Sequence, residues 1–169
     1  MNSPTVLFAA DAMPPVVVDA DAALTRPLTI KACDYWRACR GDRAMPARKD
    51  ISPQGMREFV NNVGLIEVHR SADGAVDYSI RLAGARIESV FGSITGKALG
   101  AFLPQQIEAR WRGVFDAAVA ASAPLSITSR VAFGRKEYLA AEVFLAPLGE
   151  DGQVSMLFAA VDVWPSTPA

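Results

Sequence analysis

From Val76 to Leu82 the chain alternates strictly: Val76, Tyr78, Ile80 and Leu82 are apolar, and Asp77, Ser79 and Arg81 between them are polar. A period of two sends successive side chains to opposite sides of a β-strand, so one face is buried and the other wet. The run Val63 to Arg70 precedes this segment, and the Asp-Gly of Ser71-Ala72-Asp73-Gly74 between them is a hairpin signal. Three more strands are predicted near the end: Leu125 to Phe133, Lys136 to Leu145 after a turn at Gly134-Arg135, and Val154 to Val163 after Gly149-Glu150-Asp151-Gly152. The middle one sets Leu139, Ala141, Val143 and Leu145 against Tyr138, Ala140, Glu142 and Phe144, so its second face is half apolar. The last is apolar on both sides, Val154, Met156, Phe158 and Ala160 against Leu157, Ala159, Val161 and Val163, which marks a central strand covered on both faces.

Elsewhere the period lengthens to that of a helix. Thr29 reads as an N-cap, Ala32, Tyr35, Trp36 and Cys39 follow at helical spacing, and Gly41 lies just past the end. Ser52-Pro53 reads as the cap and first turn of a short helix through Met56 and Phe59. Ala85 to Phe91 predicts a second short helix stopped by Gly92. From Pro104 to about Ala121 a longer helix turns Ile107, Trp111, Val114, Phe115 and Ala118 to one side, with Glu108, Arg112 and Asp116 largely opposite. Residues 1–28 lack sustained periodicity and are expected to be a flexible arm, in which Val16-Val17-Val18 is either a short strand or nothing ordered. Residues 29–163 form the expected domain and 164–169 a tail. The order of elements predicts an α+β domain: a five-stranded antiparallel sheet with helices on one face and an N-terminal helix flanking the sheet. The helix around Trp36 is the expected cover of the outer sheet surface, or the seat of a homodimer there.

A set of short motifs carries a family likeness. Tyr35-Trp36-Arg37 with Arg40, Pro46-Ala47-Arg48, Asp50-Ile51-Ser52-Pro53, Leu65-Ile66-Glu67-Val68, Tyr78 with Arg81-Leu82-Ala83-Gly84, and Phe91-Gly92 with Thr95-Gly96-Lys97 follow one another in that order. In order and spacing the set resembles the PAS_5 family of small bacterial PAS-domain proteins, from Ile30 to Asp162. One departure is Ala85, where relatives usually carry Thr. The resemblance implies a PAS fold and a role in signalling or regulation, often with no attached output domain, and contacts made through the sheet face and the flanking helix.

Composition narrows the chemistry. Among 169 residues, 51% are hydrophobic and 21% charged, and no apolar run approaches the roughly 20 residues of a membrane span, so a soluble globular protein is expected. Seventeen Lys and Arg against eighteen Asp and Glu leave no basic field for nucleic acid. No Lys or Arg precedes Arg26, which argues against a secretory leader and for a cytoplasmic location. Cys33 and Cys39 would stand roughly 120° apart around a helix, too far apart to pair with each other or chelate together. His69 is the only histidine and ends a strand rather than standing on a helix that could offer it to haem. The cysteines lie upstream of the sheet, away from where a flavin adduct would form, and their spacing is not that of a zinc site. No P-loop occurs, since Gly92 to Gly96 lacks its flanks. No cofactor, metal or catalytic residue is therefore expected. Glu67 and Glu142 are expected to pair with Arg81 or Arg130 across the sheet rather than to act as bases. A small cone-shaped isomerase or dehydratase, which would need an inward acid paired with His or Tyr, is the weaker rival.

Two candidate sites remain. Leu82, Ile87, Phe91, Trp111, Phe115 and Phe158 are candidates to line a ligand pocket, or else to fill the core. Tyr35, Trp36, Arg37, Arg40, Arg43, Arg48, Tyr138 and Phe144 are candidates for a docking surface, because aromatic and Arg residues dominate interface energetics. The chain ends soon after the last strand, so no output domain is expected and a signal would pass through a surface. The expected function is docking to a regulatory protein such as a kinase, phosphatase or nucleotide-signalling enzyme, with a stand-alone small-molecule sensor as the alternative.

Overall fold

The computed structural model describes residues 5–7, 16–19, 23–130 and 139–166. Seven strands build one antiparallel sheet: β1 (Thr5–Leu7), β2 (Val16–Asp19), β3 (Val63–Arg70), β4 (Val76–Ala83), β5 (Leu125–Arg130), β6 (Leu139–Glu150) and β7 (Gln153–Pro165). Their spatial order is β1-β2-β5-β6-β7-β3-β4. The α+β class holds, and the β3–β4 hairpin has the limits its alternation predicts. The sheet is wider than expected because β1 and β2 fall within residues 1–28, the stretch read as an arm. Val17 lies opposite Thr128 and Val18 opposite Ile127, so β2 takes strand form by pairing with the otherwise open edge of β5.

The long hairpin β6–β7 is the spine of the sheet, paired from Leu139 opposite Pro165 to Glu150 opposite Gln153. It reverses at Asp151 and Gly152, whose φ values of +54° and +74° suit the two-residue turns that follow strand twist. The expected turn at Gly134-Arg135, the first residues of the expected strand from Lys136, and Tyr138 lie outside the described residues.

Helix α1 (Pro27–Arg40) begins two residues before the expected Thr29. Arg26 is its N-cap and Pro27 its first helical residue, a position where the missing N–H costs nothing and the ring presets φ. Thr29 is buried inside the first turn instead. The short helix expected from Ser52-Pro53 is a chain of turns, Met56 N–H to Pro53, Phe59 to Met56 and Asn62 to Phe59, each closing over three residues. Ser52 Oγ does accept the N–H of Gly55 at 3.2 Å, so the capping residue acts without a helix behind it. Helix α2 (Ala85–Phe91) and helix α3 (Gln105–Ala121) run as expected. Gly84, just before α2, has no room for a side chain: a Cβ there would come within 2.4 Å of the Asn61 carbonyl oxygen.

Two layers of helix cover the sheet. Helix α1 packs on β6 and β7 on one face, and α2, α3 and the segment between them occupy the other. No helix among the described residues is long and apolar enough to cross a membrane.

Candidate functional site

Alternation along β6 and β7 assigns each strand's side chains to two environments. Phe144 and Phe158 face α1, where Trp36 is fully buried and its indole N–H donates to the Pro147 carbonyl at 3.0 Å. The Trp36 ring meets Phe144 edge-on at 6.3 Å, and Phe144 meets Phe158 at 6.2 Å. Ala146 and Ala160 are fully buried on the same face. The outer surface of the sheet is thus covered by α1 of the same chain.

Glu142 shares that face and anchors α1. Its carboxylate, only 3% exposed, accepts the backbone N–H groups of Thr25 (3.1 Å) and Arg26 (3.0 Å) and the hydroxyls of Thr25 (2.7 Å) and Thr29. A negative charge at a helix N-terminus satisfies orphan donors and matches the helix dipole. Burial pushes the Glu142 carboxyl pKa up, but the hydrogen bonds from Thr29 and Thr25, then those from the backbone of Arg26 and Thr25, outweigh it and hold the value below the ordinary glutamate range. The expected pairing with Arg130 is corrected: the register sets Glu142 opposite Thr128, and Arg130 opposite Ala140. The other expected link holds, with Arg81 Nε 3.7 Å from Glu67. Nearby, Arg26 adds an ion pair to Asp162 at 2.8 Å and lies 4.3 Å over the Trp164 ring.

The opposite face is hollow. A cavity of about 120 Å³ lies between the sheet and the helices α2 and α3. Gly64, Ile66, Ile80, Ile127, Val143 and Val161 form its floor, and Ile87, Phe91, Ile94, Leu99, Ile107, Trp111 and Phe115 its walls and roof. Four of the six pocket candidates, Ile87, Phe91, Trp111 and Phe115, line it. Two do not. Phe158 lies on the α1 face, since a strand apolar on both sides carries no mark of which set looks which way. Leu82 is 41% exposed because the strict alternation of β4 breaks: Leu65 pairs with Leu82 but Ile66 with Ile80, leaving Arg81 as an extra residue. This bulge shifts the phase by one, turning Ala83 toward the cavity and Leu82 to solvent.

Besides the Trp111 indole N–H, the residues of the described lining with polar side chains are Arg110, Ser129 and Arg130. Arg110 is 2% exposed, and burial lowers its pKa from the ordinary arginine value. Sequence reading passed over this residue. The signal was present, for Arg110 stands three residues after Ile107 and four before Val114, on the apolar stripe of α3. Ser129 Oγ donates to the Arg130 carbonyl at 2.9 Å.

The docking candidates separate by burial. Trp36 and Phe144 are fully buried in the core, so they anchor α1 and not an outside partner. Tyr35 is half-buried, its hydroxyl accepting the Ser52 N–H at 2.9 Å and its ring edge-on to Phe59 at 5.8 Å. Arg43 is tied to the Cys39 carbonyl (2.7 Å) and Asp50 (2.9 Å), and Arg48 to the Ile51 carbonyl (3.0 Å). Arg37 is exposed, and Arg40 is half-buried with its guanidinium 5.3 Å from the Trp36 ring centroid. His69 is exposed, with Nε2 2.7 Å from Ser79 Oγ. Cys33 is buried, which raises its thiol pKa, and Cys39 is a half-buried free thiol. Among the described residues no group of three His, Cys, Asp or Glu could hold a metal ion.

A layered α+β sheet of this order, one face closed by an N-terminal helix and the other hollow beneath a long helix, agrees with what the known families show: residues 24–161 match the PAS domain family PAS_5. The chain belongs to the PAS_5 family. The match takes in α1, both covered sheet faces and the cavity, while β1 and β2 precede it. No curated protein matches the chain. Membership in a PAS family points to a signalling or sensory role.

Proposed function

We propose that this PAS domain is a non-catalytic sensory regulator that binds a small, mainly apolar molecule in the cavity between the sheet and α3. The observation that carries this reading is the cavity itself, about 120 Å³ and walled by aromatic and branched aliphatic side chains. Native cores rarely leave so much space. An apolar void of roughly 150 Å³ binds benzene, so the PAS_5 cavity is on the scale of one small ring or a short alkyl chain. Its described lining has no Asp, Glu, His, Cys or Tyr to act as a base, and its one hydroxyl, that of Ser129, donates to the Arg130 carbonyl, which favours binding over turnover.

The strands offer a route to the surface. Ala141, Val143 and Leu145 line the cavity, while Glu142 and Phe144 between them hold α1. A ligand that moves β6 therefore bears on both faces. Docking to another regulatory protein, such as a kinase, phosphatase or nucleotide-signalling enzyme, is the second reading. It is favoured by Arg37, exposed on α1, and by the half-buried Arg40 near the end of the same helix.

Titration with toluene, followed by methyl NMR of Ile66, Ile87 and Ile127 with Ile30 and Ile51 as internal controls, tests the cavity. Shifts confined to the first three, with a raised melting temperature, are expected. Saturating toluene that leaves all five unmoved removes the cavity from the account and leaves docking as the function.

A further inference from the structure

We propose that the ribbon β1–β2 is a detachable strap that closes the cavity on its β5 side, and that a ligand enters and leaves when β2 lifts from β5. The proposal rests on the cavity being a binding site and adds how access to it is controlled. The two margins of the sheet are fastened differently. At β4, backbone groups are taken up by segments of the domain itself: Arg112 donates to the Val76 carbonyl at 3.2 Å, Ile80 N–H to the Lys97 carbonyl at 2.9 Å, and Ala83 N–H to the Thr95 hydroxyl at 3.1 Å. At β5 the margin is completed by β2, which precedes the residues matched by the family, 24–161. A strand edge is a template on which one segment can replace another.

The ribbon has a short hold on the sheet. Among the described residues β2 pairs with β5 from Val17 opposite Thr128 to Asp19 opposite Ser126, whereas β6 and β7 pair from Leu139 to Glu150. Local opening is concentrated in elements with few such ties. The ribbon also stands over a way in. Val18, 7% exposed, lies directly opposite Ile127 on the same side of the sheet, so it continues the cavity floor past β5. Strand β1 is the outermost strand and runs beside α3. Since β5 borders the cavity through Ile127, and α3 through Ile107 and Trp111, the ribbon spans the margin where strand and helix face each other. The domain behind it is anchored separately. The Glu142 carboxylate holds the N–H groups of Thr25 and Arg26 at 3.1 and 3.0 Å, so a strap released from β5 leaves α1 in place.

Val17→Cys with Thr128→Cys, a directly opposed pair, in a Cys33→Ala and Cys39→Ser background, ties β2 to β5 on oxidation. Toluene exchange read from NMR line shapes should slow about ten-fold or more in the oxidised form and recover on reduction, with Kd little changed. Val18→Asp, which sets a charge beside Ile127, should release the strap and speed exchange by a similar factor while the methyl signals of Leu148 and Leu157 stay in place. In the wild type without ligand, the β2 amides bonded to β5 should exchange with deuterium about a hundred-fold or more faster than the bonded amides of β6. Equal toluene exchange in the oxidised and reduced forms overturns the strap, and so do β2 amides protected as well as those of β6. If the disulfide does not close, Val18→Asp exchanging toluene no faster than the wild type overturns it. Toluene that binds no form of the protein removes the cavity reading and the strap with it. The wild-type hydrogen exchange is decisive even if neither variant folds.

Discussion

The two faces of the sheet are made from the same two strands and differ in how completely they are filled. Toward α1, Phe144, Phe158, Ala146 and Ala160 are fully buried along with Trp36, and the carboxylates on that face are engaged, Glu142 by four donor groups and Asp162 by Arg26. Toward α3, the alternate residues Ala141, Val143, Leu145, Ala159 and Val161 border a cavity whose lining also includes the buried Arg110. A protein interior is ordinarily packed to crystal density on every side. One face is covered by α1 and the other borders a cavity, and β6 and β7 contribute alternate residues to both.

The largest test of the closed face is Trp36→Ala. Removing a fully buried ring, its contact to Phe144 and its hydrogen bond to Pro147 should cost about 3–5 kcal/mol, measured by denaturant unfolding. An effect under 1 kcal/mol would mean that α1 is not part of the folded core and would erase the contrast between the faces.

Glu142→Gln should cost about 1.5–3 kcal/mol at neutral pH, the range for hydrogen bonds to a charged group. The Glu142 pKa is lower in the folded than in the unfolded state, so its charge stabilises fully above the unfolded value of about 4.3 and that contribution is lost as pH falls through the folded value. The gap between wild type and variant should accordingly narrow on acidification below pH 4. A gap independent of pH would assign the anchoring to shape instead of charge.

The finest test uses neighbours on β7. Ala160→Leu, on the closed face, should destabilise by about 1–3 kcal/mol through overpacking. Ala159→Leu, whose side chain enters the cavity, should cost less than Ala160→Leu and should block toluene binding. Equal penalties at the two positions would show that the hollow face is packed in solution.

Much of this was legible along the chain because it is local. The hairpin at Asp73-Gly74, the limits of α2 and α3, and the two apolar faces of β7 each follow from a repeat of two or 3.6 residues or from a turn residue. The readings that failed depended on a partner distant in sequence. Thr29 was placed as a cap because its type favours that role, yet Glu142, more than a hundred residues away, fills it. Leu82 was assigned to the pocket by a perfect alternation that one bulge against β3 overturns. Trp36 and Phe144 were placed among the docking candidates because aromatic residues suit an interface, and they pack against each other where α1 covers the sheet, the alternative role expected of that helix.

By itself the sequence determined the α+β class, the order of α1, the β3–β4 hairpin, α2, α3 and the last three strands, and the need for a cover on the outer face of β7, since periodicity and burial are properties of each segment. Tertiary structure alone decided which apolar residues fill space and which surround it. Phe158 and Ala159 are adjacent and both apolar, and only the packing of α1 on one side and α3 on the other makes the first a core residue and the second the wall of a cavity. The same holds for Arg110, whose place on an apolar stripe is visible in the sequence, but whose burial against a void is set by the sheet opposite.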